Sequence, residues 1–311
     1  MHIFDNPNLN FLKWRWHALA LSVLVIGAGL ATIVSRGGLP LGVDFSGGTV
    51  LLLKFEKPVS IGAVRDALPF AGDAVVQTSG APGSNEIMVR LPIMQGAEEG
   101  TNLEKQALQV EAALRAANLG NFTIPSKDIV GPVIGEDLKL KGIWATISSL
   151  GGILLYIWFR FRLTFAVGAI VATLHDVLGT IVFLTWFGYD ISLNVVAALL
   201  TITGYSVNDT IVIFDRVREN QRLSKKESLE EVVNRSVNQT LSRTIITAGT
   251  TFLAVIALYL FGGEVLRGLS FTLLVGILTG TYSTVFIASA IAIILSPKKV
   301  EAPAAARAKR A

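Results

Sequence analysis

The chain has 311 residues, 51% hydrophobic and 16% charged, with 27 Lys and Arg against 23 Asp and Glu and no cysteine. A soluble domain usually carries about a quarter charged residues. The balance excludes an ordinary soluble enzyme, a disulfide-stapled secreted domain and, despite a net charge of +4, a nucleic-acid binder. The charge is missing from six stretches, 17–35, 142–159, 163–187, 191–214, 244–262 and 268–295, whose only acids are Asp176 and Asp209. Each reaches or approaches the roughly 18–20 apolar residues that cross a hydrocarbon core about 30 Å thick. The pattern predicts a polytopic α-helical membrane protein: six transmembrane helices and one small α+β extracytoplasmic domain between helices 1 and 2.

Residues 1–16 form a head carrying Lys13 and Arg15, and 17–35 the first span. An uncleaved span is preferred there to a signal peptide, because the apolar run is long and no clean small-residue cleavage site follows. Basic residues then mark one side of the membrane. They are Arg160 and Arg162, seven in the 215–243 connection from Arg216 to Arg243, and Lys298 to Arg310 in the tail 296–311. The short loops 188–190 and 263–267 opposite hold only Arg267. By the positive-inside rule both termini are cytoplasmic, which an even number of spans satisfies. The Ala-rich basic tail reads as a disordered segment beside anionic membrane lipid.

Residues 36–141 are long enough for a small domain. Gly42, Asp44, Gly47 and Gly48 lie in Gly-Val-Asp-Phe-Ser-Gly-Gly-Thr, which reads as a tight turn into a strand; a phosphate-cradling loop would want a lysine and a following helix. Strands are expected at 50–55, 86–91 and 121–125, helices at 61–68 and 103–117, and a turn at Pro82-Gly83-Ser84. No nucleophile or metal-ligand spacing occurs, so the domain reads as a binding or moving part. The 216–242 connection is amphipathic and reads as an interfacial helix or hairpin.

Residues 142–295 complete the bundle, and their ionisable groups carry the chemistry, since a charge at a span centre costs roughly 2.5–3.5 kcal/mol on insertion scales. Asn194, Thr201, Asn208 and Asp215 recur every seven residues on one helical face, flanked by Gly204, Tyr205 and Asp209. Such a face is either interhelical hydrogen-bond glue or a functional lining; for Asp209 glue alone is disfavoured, because Asn would serve without a charge. Arg243 opens the next span at a similar depth and is either the partner of Asp209 or a snorkelling anchor. His175 and Asp176, mid-span, either pass protons or fix helix packing. Metal binding is disfavoured, since His2 and His17 lie at the far end of the chain. Gly276 and Gly280 are a weak signal for close helix contact.

In order and spacing, Gly42–Thr49, Val130–Leu138, His175–Val177, Ser192–Asn220 and Thr240–Thr251 resemble the SecF branch of the SecD/SecF family of protein-export membrane proteins, within the resistance–nodulation–division superfamily. The resemblance covers essentially residues 1–296. It implies a non-enzymatic, cofactor-free subunit of a bacterial inner membrane. It further implies association with SecD, the SecYEG channel, YajC and a translocating preprotein, with proton flow driving the extracytoplasmic domains. Asp209 matches the family's proton-carrying acid and Arg243 its basic counterpart; His175, Asp176, Asn208 and Asp215 fall in family motifs without a sharp role. Six spans imply a SecF that needs a separate SecD. The rival readings are half of a proton-driven small-molecule exporter, disfavoured by the single compact loop, and a purely structural channel-assembly factor.

Overall fold

The computed structural model describes residues 7–69, 74–79, 83–91, 101–224 and 227–296. The basic tail, Lys225, Lys226 and Pro82 lie outside the described residues. Among the described residues six helices are long and apolar enough to cross a membrane: Phe11–Ser35, Pro132–Arg160, Leu163–Phe187, Leu193–Leu223, Leu229–Phe261 and Arg267–Leu295. The first is a 3-10 turn, Phe11–Trp14, running into α1 (Arg15–Ser35).

Between α1 and the second span lies the α+β domain. The short α2 (Val43–Ser46) leads into β1 (Gly48–Phe55), followed by α3 (Ile61–Asp66), β2 (Val75–Ser79), β3 (Glu86–Leu91), α4 (Thr101–Ala116) and β4 (Phe122–Val130). Antiparallel pairing gives one four-stranded sheet in the order β2-β3-β1-β4. In β3, Ile87, Val89 and Leu91 are buried alternately, as a half-buried strand requires. They meet Leu51 and Leu53 of β1, Val64 of α3, and Val110 and Leu114 of α4 in one core. The β1–β4 register slips between Leu52 and Lys54, opposite Pro125, which has no N–H to give a ladder. Two elements differ from the sequence expectation: β2, a short and largely polar edge strand, and the helical turn α2 within the glycine-rich segment.

Only Gly131 separates β4 from α5 (Pro132–Arg160). Pro132 occupies the first turn, where a missing N–H is harmless. The helix starts ten residues before the expected span, because Glu136, Asp137, Lys139 and Lys141 hide it from an apolar count. After α6 (Leu163–Phe187), α7 (Leu193–Leu223) and α8 (Leu229–Phe261) both run past their expected limits. The connection is thus a hairpin of two helix ends joined through residues 224–228. The Asn220 amide donates to Ser236 Oγ (2.8 Å) and Gln239 Oε1 (2.9 Å), and Arg216 Nε to Gln239 Oε1 (2.7 Å). A capping box of Ser228 and Glu231 starts α8.

The last span is α9 (Arg267–Ser283), a π-helical turn at Thr284–Ala288, and α10 (Ser289–Leu295). With α6 it forms the buried centre of the bundle, while α5 and α8 lie at the periphery. Close approach depends on glycine: a Cβ on Gly276 would lie 2.5 Å from Ile202 of α7, and one on Gly168 of α6 2.7 Å from the Ala288 carbonyl.

Candidate functional site

The bundle interior is polar, and its two acids are held by adjacent residues of the last span. Asp176 of α6 is fully buried. Its Oδ2 accepts from Ser206 Oγ of α7 (2.5 Å) and Ser283 Oγ of α9 (2.8 Å), and its Oδ1 lies 3.0 Å from His175 Nδ1. A Cβ on Gly280 would lie 3.1 Å from Ser206 Cβ and 3.7 Å from Asp176 Oδ2, so this glycine seats α9 against the acid.

From His175 the network reaches α1. His175 Nε2 lies 3.0 Å from Ser22 Oγ, Ser22 Oγ lies 3.2 Å from the Tyr282 hydroxyl, and that hydroxyl donates to the Ala18 carbonyl (2.7 Å). Donor accounting orders this chain. Tyr282 spends its proton on Ala18, so Ser22 donates to Tyr282 and accepts from His175 Nε2–H. The Nδ1···Oδ1 contact joins this chain to the Asp176 carboxylate. Through Ser22, Ser206, Ser283 and Tyr282 the pair ties α6 to α1, α7 and the last span.

Asp209 of α7 is half-buried. Its Oδ1 accepts from Thr244 Oγ1 of α8 (2.8 Å) and its Oδ2 from Thr284 Oγ1 (3.2 Å). Thr284, the residue after Ser283, opens the π turn, whose widened backbone is tied by Ser289 Oγ donating to the Thr284 carbonyl (3.2 Å). Thr284 Oγ1 is also 3.0 Å from the Thr281 carbonyl. One hydroxyl proton cannot fully serve both acceptors. A protonated Asp209 instead donates to Thr284, which then donates to Thr281, so the cage accepts either state of the acid.

Arg243 is one residue from Thr244, but its side chain is exposed. The direct bond to Asp209 is made by Thr244. Of the seven-residue series, Asn194, Thr201 and Asn208 are exposed, and the flanking Tyr205 is half-buried. Asp215 is separate from the cage: both its oxygens accept from Arg160 Nη2 at the end of α5 (2.7 and 2.9 Å). Ser22, Ser206, Ser283, Thr244 and Thr284 were not singled out by sequence reasoning. The available signal was a hydroxyl one position after Arg243 and two consecutive hydroxyls in the last span.

The glycine-rich turn lies at the other end of α7. Gly42 precedes the first residue of α2, Gly47 and Gly48 have φ of +69° and +119°, and the chain turns there into β1. Asp44 Oδ2 accepts from the Leu193 amide at the first residue of α7 (2.8 Å).

The features define a class: a multi-pass helical membrane protein with one small α+β domain and a buried polar network inside its spans. Residues 109–298 match the family described as "Protein export membrane protein SecD/SecF, C-terminal", and residues 36–59 match the "SecD/SecF GG Motif". The chain belongs to the SecD/SecF protein-export family. It is 42% identical over 319 residues to "Protein translocase subunit SecF" of Rhodothermus marinus, covering 100% of this chain and 99% of the relative. It is 40% identical over 294 residues to the protein of the same name from Escherichia coli O157:H7, covering 93% and 88%. A crystal structure of SecDF, a translocon-associated membrane protein from Thermus thermophilus, superposes with a TM-score of 0.82 at 36% identity over 94% of this chain. A SecDF structure in a "Super-membrane-facing form" gives 0.68 at 37% identity. The chain spans 39% of the length of each SecDF chain.

Proposed function

We propose that this chain is the SecF-type subunit of a protein-export machine in a bacterial cytoplasmic membrane, with both termini cytoplasmic and residues 36–141 outside. It works with SecD, the SecYEG channel and YajC, and uses the ion motive force to help draw preprotein across. The observation that carries this reading is the Asp209 cage, where hydroxyls from α8 and the π turn suit both protonation states of an acid inside the spans. One charge moved across 100 mV is worth about 2.3 kcal/mol, enough to bias a two-state helix arrangement roughly fiftyfold.

Docking of SecD is supported by the outward face of α7 and α8. Asn194, Thr201 and Asn208 on α7, with Arg243, Thr247 and Thr250 on α8, are exposed from this chain. Polar and charged groups at this depth favour a protein partner over lipid. Asp209 lies just behind this face, so partner and acid are neighbours.

The test is export by membrane vesicles carrying SecD and this chain, with and without an imposed proton gradient. Asp209→Asn is expected to abolish the gradient-stimulated part and spare the gradient-independent part. Normal stimulation in that variant would overturn ion coupling at Asp209 and leave a structural assembly role. Arg243→Gln should reduce stimulation while leaving association with SecD measurable by co-purification.

A further inference from the structure

The α+β domain touches the bundle at one end of the helix that carries the caged acid. Asp44 caps the first amide of α7 from outside the helix, adding a carboxylate to the positive end of its dipole. Beside it, the Gly42 amide donates to the Ile191 carbonyl (2.7 Å) and the Ile191 amide to the Pro40 carbonyl (2.7 Å). Leu41 and Ile191 thus form a parallel bridge. A Cβ on Gly42 would lie 3.0 Å from the Ile191 carbonyl oxygen, so only glycine fits comfortably there. Phe45 seals the joint, buried with Leu184, Ile191 and Val195.

A second grip comes from the sheet. Arg90 of β3 pairs with Asp190 in the α6–α7 turn and reaches the Leu41 carbonyl with its other terminal nitrogen (3.5 Å). Both partners are half-buried, so salt screens the pair less than it would a fully exposed one. The two grips bracket the start of α7 from the turn and from the sheet. From Leu193, α7 runs unbroken to Asp209, a distance of about 24 Å at 1.5 Å per residue.

We propose that Asp44 and Arg90 are positioning residues of a two-point clamp that fixes the α+β domain to the N-terminal end of α7, so that displacement of α7 at Asp209 is delivered directly to the domain. What the clamp transmits rests on the ion-coupled reading above; that the clamp exists does not. The role of Asp44 is to accept a hydrogen bond, and the glycines at 42, 47 and 48 let the turn approach closely enough for it to do so.

The cysteine-free sequence allows spin labels at two introduced cysteines, Gln109→Cys on α4 and Ala197→Cys on α7, both exposed, in the full chain in nanodiscs. Asp44→Ala combined with Arg90→Ala should broaden the 109–197 distance distribution and lower the clamp's closed-to-open ratio by roughly five- to thirtyfold. Export with SecD present should fall in parallel. Asp44→Asn retains an acceptor and should keep the narrow distribution and export, as should the swap Arg90→Asp with Asp190→Arg; both are the folded controls. An unchanged distribution in the double alanine variant overturns the clamp. A broadened distribution with full export overturns transmission through it. Loss of the narrow distribution in Asp44→Asn equal to that in Asp44→Ala overturns the capping role. A failure of Asp209→Asn to affect export falls on the ion-coupled reading and leaves the distance test of the clamp standing.

Discussion

The extramembrane domain is drier inside than the bundle that crosses the membrane. The domain core is Leu51, Leu53, Phe55, Val64, Val89, Leu114 and their neighbours, with Thr49 and Gln106 as its buried polar residues among those described. The bundle buries Ser22, Thr173, Asp176, Thr180, Ser206, Thr244, Ser270, Thr272, Ser283 and Thr284 among others. Water drives the domain together through its apolar area. Lipid gives the spans no such drive, so they associate through small residues, close backbones and hydrogen bonds. One architecture therefore has an apolar core in the domain and a hydrogen-bonded one in the bundle.

The largest effect should come from cutting the dry core. Leu53 has no exposed surface, and Leu53→Ala should destabilise the domain by about 2–5 kcal/mol through lost transfer energy and a cavity. Limited proteolysis of the full chain would report it as faster cleavage within 36–141. Leu253 of α8 is 66% exposed, so Leu253→Ala should leave the cleavage rate unchanged. Equal sensitivity at both positions would break the contrast. In the bundle the corresponding injury is addition. Gly276→Leu forces atoms into Ile202, whose branched side chain lies 2.5 Å from where a Cβ would sit. An overpacking cost of about 1–3 kcal/mol should appear as a lowered thermal midpoint in detergent. An unchanged midpoint would show that α7 and α9 are not in close packing.

The contrast also explains which parts were legible in the sequence. Apolar runs disclosed all six spans and β1, and period-two alternation disclosed β3, since both signals are local. The helix start at Pro132 was hidden because the charged turn 136–141 stands outside the apolar stretch. The five residues of β2 carry too little pattern and are a strand because β3 pairs with them. Asp176 and Asp209 stood out as acids in apolar spans, but their partners did not. Ser22, Ser206 and Ser283 converge from three helices on the His175–Asp176 pair, and hydroxyls in spans are too common to mark. The reading of Arg243 as partner of Asp209 rested on opposite charge and similar depth, whereas the fold puts the shorter Thr244 side chain on the acid and leaves Arg243 exposed. Asp215 shares a helical repeat with Asn208, yet a partner 55 residues away takes it out of the site.

A smaller effect is expected at the joint between the two regions. Burial raises the Asp190 carboxyl above its ordinary value, and the charge and hydrogen bond of Arg90 pull it part of the way back. The folded chain therefore binds more protons at this site than the unfolded chain between the ordinary and the raised value. Stability contributed by Asp190 consequently falls as pH rises through that window and recovers on acidification. Arg90→Met removes the lowering influence, so the window should widen upward and the variant should lose most stability at neutral pH. Thermal midpoints against pH for the parent chain, Arg90→Met and Asp190→Asn would check this. The difference between parent and Asp190→Asn isolates the group, and a difference that grows on acidification would reverse the assignment.

The smallest effect tests the dry core at its one flaw. Among the described residues, Thr49 Oγ1 is fully buried with no hydrogen-bond partner, at the point where the glycine-rich turn enters β1. Thr49 pairs with Leu91 on one side and Ile129 on the other, so the surroundings of its side chain suit a methyl better than a hydroxyl. Thr49→Val keeps the shape and the β-branch and removes the unpaired polar atom, and should stabilise the domain by up to about 1 kcal/mol. Urea unfolding followed by proteolysis would show the midpoint moving up. A midpoint moving down would mean that the hydroxyl is hydrogen-bonded within the folded domain, and the domain core would then be less dry than the contrast requires.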